Sequence, residues 1–153
     1  HVYQTLQSKR IRYVLTRLDA VLANGPGVAY THSLISVEHV LPQTPKDDSL
    51  WKKLFDDEQR ERWTHRLGNL LLLNKRKNSE ANRKEFTEKK MTYFLSSSGT
   101  VTFALTSQVL SEPEWTVAVV DGRQSKLLKL LIAEWSLEAN DSVDVAAADV
   151  TGE

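Results

Sequence analysis

At 153 residues, with 41% apolar and 26% charged side chains and a formal net charge of zero, the chain has the size and composition of one folded domain with a core of its own. No run of residues approaches the apolar length that spans a bilayer, and the opening HVYQTLQSKR carries no hydrophobic signal segment. The start also lacks an initiator Met, so a fragment of a longer protein is expected. With no cysteine, disulfides, thiolate metal sites and a Cys nucleophile are excluded, and any metal must rest on oxygen and imidazole, the donors that suit Mg²⁺ or Mn²⁺. A reducing cytoplasm is the expected location. The neutral total hides an asymmetry: residues 138–153 hold five acids and no Lys or Arg, which leaves twenty bases against fifteen acids in residues 1–137, a net of +5. A functional body over 1–137 and an acidic, disordered tail over 138–153 are therefore expected.

In chain order, Ile11, Val14, Leu15, Leu18, Val21 and Leu22 recur at helical spacing and predict an amphipathic helix over 4–23, stopped by Asn24-Gly25-Pro26-Gly27. Residues 34–41, rich in Ile, Val and Leu, predict a short strand ended by Pro42, followed by a polar loop over 42–48. A helix is expected over 49–66, with Trp51, Leu54, Phe55 and Trp63 toward the core. Leu70 to Leu73 is too short for a helix and suits a buried strand. A third helix is expected over 75–95, with Phe86, Lys90, Tyr93 and Phe94 on its apolar side and lysine stems snorkelling along it. Thr alternates with Val, Phe and Leu over 100–105, which reads as extended, and a last helix over 113–135 would bury Leu127, Leu128, Leu131, Ile132 and Trp135.

The chemistry-bearing part lies between Val37 and Asn82. It reads Val37-Glu38-His39-Val40-Leu41-Pro42, then His65-Arg66-Leu67-Gly68-Asn69-Leu70, then Asn78 at the opening of the next helical stretch. This resembles the HNH motif of the His-Me finger nucleases: a strand ending in an acid–His pair with a Pro nearby, an Asn-Leu step, and a His or Asn nine residues further on, as Asn78 is from Asn69. The likeness is closer to one branch, the C-terminal nuclease domain of GmrSD-type and SspE-like modification-dependent restriction endonucleases. That branch is matched by Val37 to Gln43, Leu67 to Leu73, Asn78, Phe86, Lys89-Lys90, Tyr93 and Ser96, and by the later Trp115-Thr116, Arg123 and Trp135. Each element alone is weak, and an acid–His pair, an Asn after Gly, or Asn74 and Asn78 as helix caps are ordinary features. The ordered set carries the resemblance.

Physical chemistry gives these residues work to do. Cleaving a phosphodiester requires an activated water, neutralised charge on the transition state and a stabilised leaving oxygen. A neutral His near its ordinary pKa accepts the water's proton, the role expected of His39. Neighbouring strand residues face opposite ways, so Glu38 is expected to hold a divalent ion, with the Asn78 amide oxygen as second ligand. By resemblance, Asn69 braces the loop and fixes His39. Glu38 and Asn78 stand where the wider HNH pattern more often has Asp or His, and both keep an oxygen donor that favours Mg²⁺ or Mn²⁺ over Zn²⁺. Asn82, one turn beyond Asn78, and His65 are accessory candidates, His65 more simply as a structural hydrogen-bonding residue.

Lys75, Arg76, Lys77, Arg83 and Lys84 flank the metal ligand and form the expected phosphate-positioning surface, with Lys89-Lys90 further along. No base-reading module and no Walker-type phosphate loop is present in the sequence. The expected fold is α+β and mainly helical, with an embedded ββα-metal (HNH) element. The expected function is Mg²⁺-dependent nicking or cleavage of DNA. By resemblance, the domain is the effector of an anti-phage restriction protein whose N-terminal, nucleotide-hydrolysing domain senses modification, with no membrane partner. The rivals are a catalytically silent DNA-binding domain that keeps the HNH scaffold, and a helical interaction module in which the motif is coincidence.

Overall fold

Four consecutive leucines offer no polar face to water, so a strand made of them must be covered on both sides. The fold is arranged around that requirement. The structure, a computed structural model, describes residues 8–24, 35–73, 83–94 and 103–137. Its elements in chain order are helix α1 (Ser8–Leu22), strand β1 (Ser36–His39), helices α2 (Leu50–Leu54) and α3 (Asp57–Trp63), a 3₁₀ turn (Leu67–Asn69), strand β2 (Leu70–Leu73), helix α4 (Phe86–Lys89) running into a π-helical turn (Lys90–Phe94), and helices α5 (Ala104–Ser111) and α6 (Val117–Trp135). This is the mainly helical α+β architecture expected from the sequence.

β1 and β2 pair antiparallel, Ser36 opposite Leu73, Val37 opposite Leu72, Glu38 opposite Leu71 and His39 opposite Leu70. Alternation along the strands sends their side chains into two different clusters. Leu71 and Leu73 join Val40, Leu41, Trp51, Phe55, Trp63, Phe86, Phe94, Val109, Trp115 and Val120. Val37, Leu70 and Leu72 join Ile11, Leu15 and Leu18 of α1 with Phe103, Leu105 and Leu127. The hairpin is thus the partition between two halves of the core. Polar ties seat it: Thr106 donates its hydroxyl to the Leu72 carbonyl at 2.6 Å, and the buried Asp19 carboxylate accepts from Leu105 N–H at 2.8 Å.

Several expected boundaries move, each for a local reason. α1 ends where expected, with Asn24 in the left-handed region at φ 51°. β1 stops at His39 rather than Leu41, because the chain bends at Val40 and Leu41 to meet Asn69. The helix expected over 49–66 is two helices. Phe55 is extended, and Asp56 opens α3 with a capping box in which its side chain accepts from Gln59 N–H and the Gln59 side chain accepts from Asp56 N–H. That break leaves Leu54 exposed rather than in the core. The helix expected over 75–95 is interrupted by extended Glu85 before α4. Leu105 is helical, not extended, because α5 starts at Ala104 straight after Phe103. α6 begins at Val117 behind its Thr116 cap rather than at Pro113. Its inward face holds Val120, Arg123, Gln124 and Leu127, with Leu131 and Trp135 partly covered, while Leu128 and Ile132 are exposed. The expected tail over 138–153, the 4–7 start of the first helix and the 100–102 part of the extended stretch lie outside the described residues.

Candidate active site

β1 ends at His39, and the ladder is carried one step further by Val40 N–H donating to the Asn69 carbonyl at 3.0 Å. Asn69 reaches this place because the 3₁₀ turn presses against α6. A Cβ on Gly68 would stand 2.6 Å from the Val120 carbonyl oxygen and 2.9 Å from Gln124 N, so only glycine permits the approach. Gly68 N–H donates to the Gln124 side-chain oxygen at 2.6 Å. The Arg123 guanidinium donates to the carbonyls of Gly68 at 2.5 Å, Leu70 at 2.9 Å and Leu105 at 3.1 Å. Burial lowers the Arg123 pKa from the ordinary arginine range, with the Glu112 charge opposing. The sequence singles out Arg123 only through the family resemblance and gives no signal for Gln124.

The side chain of Asn69 is fully buried and makes four hydrogen bonds. Its Oδ1 accepts from Leu41 N–H at 2.7 Å and from Trp115 Nε1–H at 3.2 Å, and its Nδ2 donates to the carbonyls of Leu41 at 3.0 Å and Thr64 at 2.9 Å. One amide therefore ties the segment after His39, the turn after α3 and the start of α6 to the head of β2.

Glu38 and His39 are both buried, each about 2% exposed, and the ladder places them on opposite faces of the hairpin. On His39, the Gln43 amide nitrogen lies 3.1 Å from Nδ1 and 3.5 Å from Nε2. The His65 ring packs edge-to-face against it, centroids 5.3 Å apart at 89°. Burial lowers the pKa of His65, so that ring is neutral at physiological pH. The two rings, far apart in sequence, are brought together.

Under the strand end lies a residue the sequence assigned to the basic surface. Lys89 is 2% exposed and donates from Nζ to the carbonyls of His39 at 2.9 Å and Val40 at 2.8 Å, with the ammonium 5.8 Å from the centre of the Trp51 ring. Burial pushes it down to about 7, against the upward pull of Glu38 and Glu85. Lys90 does snorkel, its Nζ over the Phe86 ring and donating to the Glu112 carbonyl at 2.6 Å.

Of the other expected residues, Arg83 is exposed and Lys84 partly so. Lys84 pairs with Glu88, and its carbonyl accepts from Trp51 Nε1–H at 2.9 Å. Asn78, Asn82, Lys75, Arg76 and Lys77 lie outside the described residues. Among the described residues no three His, Asp or Glu side chains gather as a metal site, and no helix is long and apolar enough to cross a membrane.

A buried acid–histidine pair thus ends one strand of a two-stranded antiparallel sheet, and an asparagine at the head of the other strand holds the segment that follows it. Residues 1–130 match the family model of the GmrSD restriction endonucleases, C-terminal domain, and the chain belongs to that family. It is thus a restriction-endonuclease C-terminal domain. No curated protein and no solved structure matches it.

Proposed function

We propose that this domain hydrolyses DNA phosphodiester bonds at the His39 end of the hairpin, in the manner of the HNH (ββα-metal) nucleases. The observation that carries the reading is the four-bonded Asn69 side chain. It makes a rigid mount of the strand end, and a general base must be held to within a fraction of an ångström to act. His39 is the base. Its Nδ1 already accepts from the Gln43 amide at 3.1 Å, so a donor stands where an attacking water would offer its proton. Gln43 itself is exposed and can yield that place to water. His65 holds the ring edge-to-face and fixes its plane.

Glu38, a buried carboxylate, and the amide oxygen of Asn78 supply the hard donors that Mg²⁺ or Mn²⁺ takes, and Asn82 adds a further oxygen one turn on. When bound, such a cation supplies charge neutralisation at a non-bridging phosphate oxygen and at the leaving 3′ oxygen. The opposite-face placement of Glu38 and His39 keeps the metal ligand and the base from competing for one position. Lys75, Arg76, Lys77, Arg83 and Lys84 position the phosphate backbone. Sensing of modified phage DNA and nucleotide hydrolysis belong to an N-terminal domain of the same cytoplasmic protein.

A silent scaffold draws on one observation, the near-complete burial of His39. Coincidence is disfavoured because the Glu38-His39 and Asn69-Leu70 steps meet across one ladder. Supercoiled plasmid incubated with the purified domain separates the readings. Nicked circles should form with Mg²⁺ or Mn²⁺ and not with a chelator, at a rate that added nucleotide or DNA modification leaves unchanged. Binding without nicking in either metal would leave the silent scaffold.

A further inference from the structure

A lysine on a short amphipathic helix ordinarily carries its charge to water. Lys89 does the reverse: it is 2% exposed, in a core that includes Trp51 and Phe86. Burying an ammonium is costly unless its donors are taken up. Here two of its three donors are taken up by the carbonyls of His39 and Val40, at 2.9 and 2.8 Å. Those two carbonyls sit where β1 leaves the ladder, and among the described residues the sheet has no third strand to receive them. A methionine would fill the same volume without the desolvation cost, so packing alone gives no reason for a charge at this position.

Asn69 holds the segment after His39 from the β2 side, through Leu41 and Val40. Lys89 holds the carbonyls of His39 and Val40 from α4. The peptide that carries the imidazole is therefore gripped from two independent elements, and the direction in which the ring leaves the backbone follows from both. We propose that Lys89 is a positioning residue of the active site. Its ammonium clamps the His39 and Val40 carbonyls and thereby sets the orientation of the His39 imidazole. The inference rests on the reading of His39 as the general base. It also removes Lys89 from the DNA-binding surface, leaving phosphate contacts to the exposed bases.

The test uses the full chain carrying Lys89→Met, a neutral side chain of similar length, and Lys89→Gln, which keeps an uncharged N–H donor group and serves if the first variant does not fold. Plasmid-nicking rates over a range of plasmid concentration, with Mg²⁺ or Mn²⁺, should show kcat about 10- to 100-fold below the parent, the scale on which supporting residues act, with KM unchanged. The ring C–H signals of His39 in a proton–carbon NMR spectrum, assigned by their loss in His39→Ala, should shift or broaden as the ring samples more than one orientation. This second reading needs no activity. A folded variant whose kcat or whose His39 ring signals match the parent would overturn the inference, since a role confined to stability moves neither. If His39→Ala nicks as fast as the parent, the base assignment fails instead, and the NMR signals still decide whether Lys89 orients the ring.

Discussion

β1 and β2 are equal in length, paired from end to end and almost wholly buried, yet they are buried for different reasons. β2 contributes Leu70 to Leu73, and packing explains each one: two face the Trp51–Trp115 cluster and two face α1. β1 ends in Glu38 and His39, which hydrophobic packing does not favour; Gln43 and His65 flank the His39 ring, and Lys89 holds the His39 carbonyl with its charge drawn by Glu38. One strand stabilises the hairpin, and the other, in the proposed reading, carries the chemistry. Substitutions in β2 should therefore read out in unfolding and substitutions in β1 in chemistry, with the residues that join the strands reading out in both.

The largest effect is expected at the join. Asn69→Ala leaves Leu41 N–H, Trp115 Nε1–H and the carbonyls of Leu41 and Thr64 without their partner. An unsatisfied buried group costs about 1–3 kcal/mol, so the total rivals the whole stability of a small domain. Thermal denaturation should find this variant unfolded or close to it. Retention of the parent's melting temperature would show that the strands are joined by something else. Next comes Leu71→Ala, a cavity substitution opposite Glu38, expected to cost about 2–5 kcal/mol. The nicking rate of its folded fraction should match the parent. A fall in that rate beyond the loss of folded protein would break the division of labour between the strands.

The smallest expected effect concerns pH. Burial lowers the folded-state pKa of His65 below its ordinary 6.5, so the unfolded chain takes up a proton first as the medium is acidified. The stability of the parent should fall as pH drops through 6.5 toward that lowered value. His65→Gln should lose this part of the acid sensitivity and show a flatter melting temperature against pH below 6.5. Equal slopes in the two proteins would mean that His65 is not held neutral against His39.

What the sequence made legible follows from how local each feature is. Glu38, His39 and Asn69 stand at recognisable spacing, and the pairing of Leu70 with His39 delivers the rest. The capping box of Asp56 and Gln59 was written in the chain and breaks a helix that periodicity alone runs through. Thr alternating with Val, Phe and Leu mimics a strand at the point where α5 begins, because the contacts that decide for helix come from Asp19 and Leu72, far away in sequence. The contacts of Lys89, Arg123 and Gln124 are not legible for one reason: each is polar on a helix, and only the tertiary fold reveals carbonyls or a glycine opposite. The Trp115 hydrogen bond to Asn69 is equally silent in the sequence.

In the proposed reading, His39 performs the chemistry rather than holding the DNA. This is tested most directly by measuring, on one supercoiled plasmid with Mg²⁺ or Mn²⁺, both the nicking rate and the binding affinity of the parent and of His39→Ala. Loss of a general base should lower the rate by about 10²–10⁴-fold while the Kd stays with the parent, because the base acts in the transition state. A variant that nicks at the parental rate would contradict the account, as would one whose loss of nicking is matched by an equal loss of binding.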